Sequence, residues 1–142
     1  MMPGICKYIG ILKLALFFYF CSFQVDVPEC VSGNCINGIG TIHYSNGARY
    51  TGMFENGKCN GLGTYADTFW GITSTYVGQF KNNKWDGYGT LSISDGSRYE
   101  GEFMDGRFHG QGVLKNSKGV IQKGLFLNDQ FVGDDKELKS GK

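Results

Sequence analysis

The chain has 142 residues, enough for one ordinary domain, and its 23 glycines far exceed the usual share of ~7%. Aromatic residues make up 15% of it, more than a disordered chain carries, so the glycines are expected to serve tight turns and close backbone packing. The net charge of +1 excludes a nucleic-acid partner held by general attraction to phosphates.

Residues 1–23 have the features of a secretory signal peptide. Lys7 and Lys13 supply positive charge, and an apolar run of ten residues extends from Leu14 to Phe23. A helix needs about twenty such residues to span a bilayer, whereas a short apolar run behind basic residues is typical of a signal peptide. A short N-terminal anchor is the alternative. The segment therefore predicts a secreted or cell-envelope protein.

The cleavage position of this segment is poorly defined. Ser22 is the best small residue for the last position before the cut, but Phe20 is bulky at the position that usually holds a small residue. Cys21 raises a further alternative, a lipoprotein acylated on that cysteine. We do not favour it, because Phe20 rather than a small residue precedes Cys21.

The chain from residue 27 to residue 133 is a tandem repeat. Tyr-x-Gly-x-Phe occurs three times, each time followed by Gly-x-Gly, with a spacing of 23 residues except for one step of 26. A fixed period of this length is the signature of a repeat architecture. The repeats cover about 27–49, 50–75, 76–98 and 99–121, with a partial copy at 122–133. The marked residues are Tyr50, Gly52, Phe54, Gly61 and Gly63; Tyr76, Gly78, Phe80, Gly87 and Gly89; and Tyr99, Gly101, Phe103, Gly110 and Gly112.

Each repeat predicts a β-hairpin. Tyr76, Gly78 and Phe80 alternate with other residues and so share one face of a strand, and Asn82-Asn83 supplies turn chemistry. The return strand from Trp85 to Leu91 is expected to alternate in the same way. Glycine weakens a strand unless a neighbouring ring covers it. We therefore expect rings stacked over glycines as a ladder, in one twisted sheet of nine strands on the order of 40 Å long.

This pattern resembles the MORN (membrane occupation and recognition nexus) repeat, Y-x-G-x-F-x-x-G-x-x-x-G-x-G. Tyr50 to Gly63 and Tyr99 to Gly112 match every marked position, and Tyr76 to Gly89 departs once, at Asn83. The resemblance implies an all-β fold made of one elongated antiparallel sheet of tandem hairpins. It also implies a scaffold, a dimerisation element or a module attached to an enzyme, with no catalytic residue or cofactor in the repeat. Lipid binding has been proposed for the repeat but is not general.

The resemblance weakens at both ends of the array. Val27 and Val31 stand where the first repeat would have Tyr and Phe, and Gln122 replaces the last Tyr. Terminal repeats often differ because they cap the array. Residues 134–142 predict a polar, disordered tail.

Three cysteines follow the N-terminal segment. Cys30 and Cys35 can close a short disulfide loop in an oxidising compartment. Cys59 lies in a column of large apolar residues, where a small buried hydrophobe is expected, and a Cys35–Cys59 bridge is the competing alternative. His43 and His109 fall in different repeat columns without a neighbouring cysteine at ligand spacing, so we predict surface histidines and no metal site.

No nucleophile elbow, HExxH motif or P-loop occurs in the sequence, so we predict that the chain is not an enzyme and needs no cofactor. One candidate binding feature is the basic column, formed by Lys58, Lys84 and Arg107. It could contact anionic lipid headgroups, although acidic neighbours dilute its charge.

The second candidate is the irregular step, where three extra residues accompany Phe69 and Trp70. Insertions in repeat proteins usually form loops, and exposed aromatic residues on a loop would make a hot spot for a protein partner. The alternative is that both rings fold back onto the sheet. We predict an exported protein-interaction or structural module, with lipid recognition at a membrane surface as the alternative. Open sheet edges or ends also make a homodimer plausible.

Overall fold

The computed structural model describes residues 28–134, and their regular secondary structure is entirely β-strand. Ten strands form one open antiparallel sheet in chain order. They are β1 Glu29–Gly33, β2 Gly38–His43, β3 Arg49–Glu55, β4 Lys58–Phe69, β5 Ile72–Lys81, β6 Lys84–Ile93, β7 Arg98–Met104, β8 Arg107–Lys115, β9 Ile121–Leu127 and β10 Gln130–Gly133. The predicted single sheet of tandem hairpins is confirmed. The predicted signal peptide, Cys21 and residues 135–142 lie outside the described residues.

The number of strands differs from the nine that the sequence predicted. The additional strand is β10, only four residues long, which pairs with β9 through Gln130↔Leu127 and Phe131↔Phe126. The partial repeat therefore still completes a hairpin. It can do so because a two-residue turn, Asn128-Asp129, reverses the chain directly after β9.

The two strands of a repeat are joined by a tight turn in which both residues have positive φ. These turns are Asn56-Gly57, Asn82-Asn83, Asp105-Gly106 and Asn128-Asp129. Positive φ at both positions is the mark of the type I′ hairpin turn. Asn83, the one departure from the motif in the three complete repeats, has φ 69°, a value that asparagine tolerates better than most residues. All of these turns lie on the same side of the sheet, at one end of the strands. We call this side the turn edge, as distinct from the outer strands β1 and β10.

The return strands do not alternate simply, contrary to the prediction. In the β5–β6 hairpin, Phe80 pairs with Trp85 and Gly78 pairs with Gly89, so residues 86–88 lie opposite Gln79 alone. This is a β-bulge, which inserts extra residues into one strand and increases its local twist. Trp85 and Gly89 still share one face, as their spacing of four residues predicts, but Gly87 between them lies in the bulge and leaves the ladder.

The first glycine of each Gly-x-Gly pair sits in this bulge. Gly87 has φ 100°, and the side-chain Oε1 of Gln79 accepts a hydrogen bond of 3.0 Å from the backbone N–H of Tyr88. The equivalent Gly61 and Gly110 also have positive φ. Glycine is favoured there because other residues pay a steric cost at positive φ.

The core is a ladder of rings on one face of the sheet, the aromatic face. Tyr76 is buried, and its ring centroid lies 5.1 Å from that of Phe80 and 4.9 Å from that of Phe103 in the next repeat. Its hydroxyl donates a 2.9 Å hydrogen bond to the carbonyl oxygen of Gln79. Tyr50 and Tyr99 are buried in the same way. The predicted stacking of rings over glycines is confirmed.

The first repeat is closed by a disulfide in place of a ring. Cys30 pairs with Ile42, the place where complete repeats have their tyrosine, whereas the sequence alignment put Val27 there. Cys30 and Cys35 form a disulfide, and a Cβ at Gly40 would lie 2.8 Å from Cys35 Sγ. The bridge therefore covers Gly40 as tyrosine rings cover the later glycines.

Candidate interaction surfaces

The two binding features predicted from the sequence lie at opposite edges of the sheet. The basic column of Lys58, Lys84 and Arg107 begins β4, β6 and β8, directly after the turns of the turn edge. Phe69 and Trp70 lie at the other edge, the loop edge, where one repeat is connected to the next. The structure therefore does not bring the two features together into one site.

The basic column is interleaved with carboxylates. Lys84 Nζ lies 2.9 Å from Asp105 Oδ1, and both side chains are exposed. The hydrogen bond and charge of Lys84 lower the pKa of the Asp105 carboxyl. Lys58 lies opposite Glu55 in the strand register, on the other side of its turn. The column consequently attracts anions less than three isolated cations would, because neighbouring carboxylates cancel much of its field.

The three extra residues of the second repeat lengthen β4 and β5 instead of forming a loop. Strand pairing continues through Asp67↔Ser74 and Thr68↔Thr73 to Phe69↔Ile72. The predicted loop is therefore wrong. The reason is local: β-branched and aromatic residues favour strand pairing, and the extension closes with a two-residue turn in which Trp70 and Gly71 have φ 52° and 78°.

The end of this hairpin, the β4–β5 tip, carries Trp70, the most exposed large hydrophobic side chain of the described residues, beside two further exposed apolar residues. Trp70 is 85% exposed, Phe69 70% and Ile72 50%. The two aromatic rings meet edge to face with centroids 6.0 Å apart. The alternative in which both rings fold back onto the sheet is therefore wrong. Positive φ is uncommon for a residue as bulky as tryptophan, so Trp70 is held in a costly conformation without being buried.

A groove on the aromatic face, which the sequence did not reveal, adjoins this tip. It has a volume of about 670 Å³, and its lining includes Tyr44, Tyr65, Trp85, Cys59 and Asp67. We call it the aromatic groove. The one sequence signal that could have located it is Cys59, the smallest residue in a column that elsewhere holds Trp85, Phe108 and Phe131.

Cys59 forms part of the groove floor. Its thiol is free and only 2% exposed, and burial raises its pKa to about 11, so it is neutral at ordinary pH. The pKa of the neighbouring Tyr44 hydroxyl is raised by burial and, to a smaller extent, by Cys59. Trp85 and Phe108, in the same column, instead stack on the tyrosines of their own repeats, with centroids 4.5 Å and 3.8 Å apart. The thiol leaves room that a ring would fill.

The histidines differ from each other. His43 is exposed, whereas His109 is half-buried and its Nδ1 has no hydrogen-bond partner among residues 28–134. Within that range no three His, Cys, Asp or Glu side chains are grouped so that they could hold a metal ion. The same part of the chain contains no helix long and apolar enough to cross a bilayer.

Comparison with protein-family models matches the MORN repeat at residues 50–67, 76–98 and 99–120. These ranges coincide with the three hairpins β3–β4, β5–β6 and β7–β8, whose tyrosines and phenylalanines form the ring ladder. A search of curated proteins found no significant match. The repeat in the sequence, the hairpins and the family match agree: the chain is a MORN repeat protein, and MORN repeats generally serve as non-catalytic binding modules.

Proposed function

We propose that this chain is an exported, non-catalytic interaction module that captures a protein partner with the β4–β5 tip. The observation that carries the proposal is the 85% exposure of Trp70 on a turn of two residues. Tryptophan is the residue most enriched among the few that dominate binding energy at protein interfaces. Holding it on a paired hairpin lowers the entropy lost on binding, since little remains to be ordered.

The sheet supports this role as a rigid scaffold. Each repeat contacts its neighbours through rings and through backbone hydrogen bonds, such as the 3.0 Å bond from Asn83 N to the Cys59 carbonyl oxygen. A continuous array of this kind presents a projecting hairpin in a fixed orientation. Export is supported by the features of residues 1–23 and by the Cys30–Cys35 disulfide, since such bonds persist in oxidising compartments.

The experiment compares the unmodified protein with Trp70→Ala as baits in a quantitative pull-down from the source organism. Leu62→Ala is the matched control, because Leu62 is also exposed and apolar but lies in the middle of β4. We expect one set of proteins to be retained by the unmodified protein and by Leu62→Ala but not by Trp70→Ala. The affinity for a partner isolated in this way should fall at least about 30-fold.

The melting temperature of Trp70→Ala should equal that of the unmodified protein, because the ring is not buried. Equal retention by all three baits would exclude the tip as the binding element. A large fall in the melting temperature would show that the ring stabilises the fold instead. Flotation with anionic vesicles that is lost in Lys58→Ala would support lipid recognition by the basic column in place of this proposal.

A further inference from the structure

The aromatic groove is continuous with the tip along a single strand. Tyr65, Asp67 and Phe69 alternate along β4 and therefore lie on the same face of the sheet. Phe69 belongs to the tip, whereas Tyr65 and Asp67 line the groove. A partner bound at the tip would thus pass directly over the groove, and the inference below rests on that proposed function.

Three partly exposed rings line the groove. The centroid of Tyr65 lies 6.1 Å from that of Tyr44 and 6.3 Å from that of Trp85, with interplanar angles of 67° and 62°. All three side chains are half-buried. Rings inclined to one another around an open space present both faces and edges to a ligand, and the face of an aromatic ring attracts cations.

The carboxylate of Asp67 lies in the same groove without a cation. It accepts a hydrogen bond from the hydroxyl of Ser74, and it forms no ion pair with any residue between 28 and 134. Its charge contributes to the raised pKa of Tyr65, after the larger effect of burial. A half-buried carboxylate beside rings is incompletely solvated, so it gains most from a cation that brings its own hydrogen-bond donors.

The other charged group at the groove does not neutralise Asp67. Lys84 lies at the turn edge, seven β5 residues from the level of Asp67, which is on the order of 20 Å along a strand. Its Nζ is bound to Asp105. The Cys59 thiol on the groove floor is neutral. Arg49, opposite Ala66 in the register, lies on the other face of the sheet from Asp67. Asp67 is therefore the only charged residue among those that line this end of the groove.

Among the three complete repeats, only the second has an aromatic residue followed two positions later by a carboxylate, Tyr65 and Asp67. The position of Tyr65, opposite the ladder tyrosine, holds Leu91 and Leu114 in the next two repeats. The position of Asp67, opposite Ser74, holds Ile93 on the other side of β5. The ring trio and its carboxylate are therefore not requirements of the repeat, which needs only an apolar residue in the Tyr65 column.

We propose that the aromatic groove binds an arginine side chain of the partner protein, with the guanidinium on the ring of Tyr65 and hydrogen-bonded to Asp67, while Tyr44 and Trp85, whose ring centroids lie 6.1 Å and 6.3 Å from that of Tyr65, flank it. Arginine fits better than lysine because its planar guanidinium stacks on rings while its edge donates to a carboxylate. It is also less strongly hydrated than an ammonium group, so less is lost when it leaves water. The tip then supplies apolar binding energy, and the groove selects a basic residue in the partner.

The test is an NMR titration of the isotopically labelled protein with acetyl-Gly-Arg-Gly-amide. The reporter is the indole N–H of Trp85, and that of Trp70, the other tryptophan of the chain, serves as the reference. We expect the Trp85 signal to shift progressively and to saturate. The same peptide with citrulline, a neutral isostere of arginine, should produce little shift. Added salt should weaken the binding of the arginine peptide.

Asp67→Asn is the matched variant, since asparagine can still accept the hydrogen bond from Ser74. It should weaken binding of the arginine peptide about 10-fold, while Glu100→Gln, elsewhere on the exposed surface, should leave it unchanged. The proposal is overturned if the citrulline peptide binds equally well, if Asp67→Asn binds as tightly, or if no shift occurs. Tighter binding of phosphocholine than of the arginine peptide would overturn it in favour of a lipid headgroup.

The outcomes are separable from those of the pull-down. The titration contains no partner protein and reports only on the groove, so its failure leaves the role of the tip intact. Conversely, loss of partner capture in Trp70→Ala with an unchanged response of Trp85 to arginine would establish both elements independently.

Discussion

The ring of Tyr76 lies against the backbone of Gly89 on the adjacent strand, so close that a Cβ at Gly89 would be 2.4 Å from Tyr76 Oη and 2.6 Å from Cζ. Gly78, the partner of Gly89 in the register, is equally tight, because its Cβ would lie 2.5 Å from the Gly89 Cα. The ring thus fills the space of two missing side chains. The same relationship joins Tyr50 to Gly63 and Tyr99 to Gly112, and it explains why tyrosine and glycine recur together.

Gly89→Ala should destabilise the protein by at least about 2 kcal/mol, because overpacking a filled site forces neighbouring groups to move. Gly89 is not among the glycines with positive φ. At a strand position of ordinary φ, alanine would otherwise be favoured by roughly 0.5–1 kcal/mol, so the loss can be assigned to the clash with the ring. Urea denaturation monitored by circular dichroism measures it.

Gly96→Asn is the control for this prediction. Gly96 has φ 92°, and a Cβ there would meet nothing within 4 Å. Asparagine tolerates positive φ, as Asn82 and Asn83 do in this chain, so the change should cost less than about 1 kcal/mol. If Gly89→Ala were as mild as Gly96→Asn, the ring would not be the reason for glycine at position 89.

Tyr76→Phe should lower the free energy of unfolding by about 1 kcal/mol, since it removes the hydroxyl that donates to the Gln79 carbonyl while keeping the ring. Tyr88→Phe is matched to it. The Tyr88 hydroxyl also has a partner, Glu100 at 3.3 Å, but the side chain is exposed. That change should stay within about 0.5 kcal/mol. Equal effects in the two variants would show that the hydroxyl of Tyr76 adds nothing to the stability.

Stability should fall at alkaline pH because of the ladder tyrosines. Burial, assisted by the charge of Asp86, raises the pKa of Tyr76 from its ordinary value of 10.0 to about 12, and burial raises that of Tyr99 to about 12 as well. The unfolded chain loses these protons first, so the stabilisation is complete below pH 10 and is lost between about pH 10 and 12. The unfolding midpoint in urea, measured across this range, checks the prediction.

Tyr76→Phe separates this effect from general alkaline unfolding. The variant lacks one of the titrating groups, so its stability should decline less steeply with pH above 10 than that of the unmodified protein. Absorbance of phenolate in the near ultraviolet should show ionisation together with unfolding. Parallel pH profiles for the two proteins would contradict the assignment to Tyr76.

The sheet was predictable because its determinants are local and repeated. Tyr76, Gly78 and Phe80 alternate on a strand, and the turn residues after them reverse the chain. The bulge at Gly87 was not predictable, because glycine over a ring and glycine at positive φ look the same in a sequence. The geometry of the tip was missed for a related reason: Thr68 and Thr73 reveal a strand extension only once the register of β4 and β5 is known.

The aromatic groove escaped prediction because it depends on contacts between repeats. Tyr44 lies between β2 and β3, Tyr65 on β4 and Trp85 on β6, and only the sheet order brings the three rings together. Cys59 was expected to be a small buried hydrophobe, which agrees with its 2% exposure. That its small side chain leaves room for a groove beside Tyr44, Tyr65 and Trp85 could not be read from the sequence.

Removing the Cys30–Cys35 disulfide, by reduction or in the double variant Cys30→Ser/Cys35→Ser, should loosen the first repeat and leave the others intact. The cysteines are five residues apart in the sequence, and closing so short a loop contributes about 2 kcal/mol in the chain-entropy description. The effect should be local because each repeat contacts only its neighbours. Hydrogen exchange should therefore accelerate in β1 and β2 but not in β5–β10.

Cys59→Ala provides the control, since Cys59 is free and takes no part in the bridge. In this variant, reduction should still loosen β1 and β2 to the same extent. Faster exchange throughout the sheet would contradict the local role, and unchanged exchange in β1 would show that strand pairing alone holds the cap. The effect is local because the bridge covers one glycine, Gly40, as a tyrosine ring does in each of the three complete repeats. Its loss therefore exposes one repeat and no more.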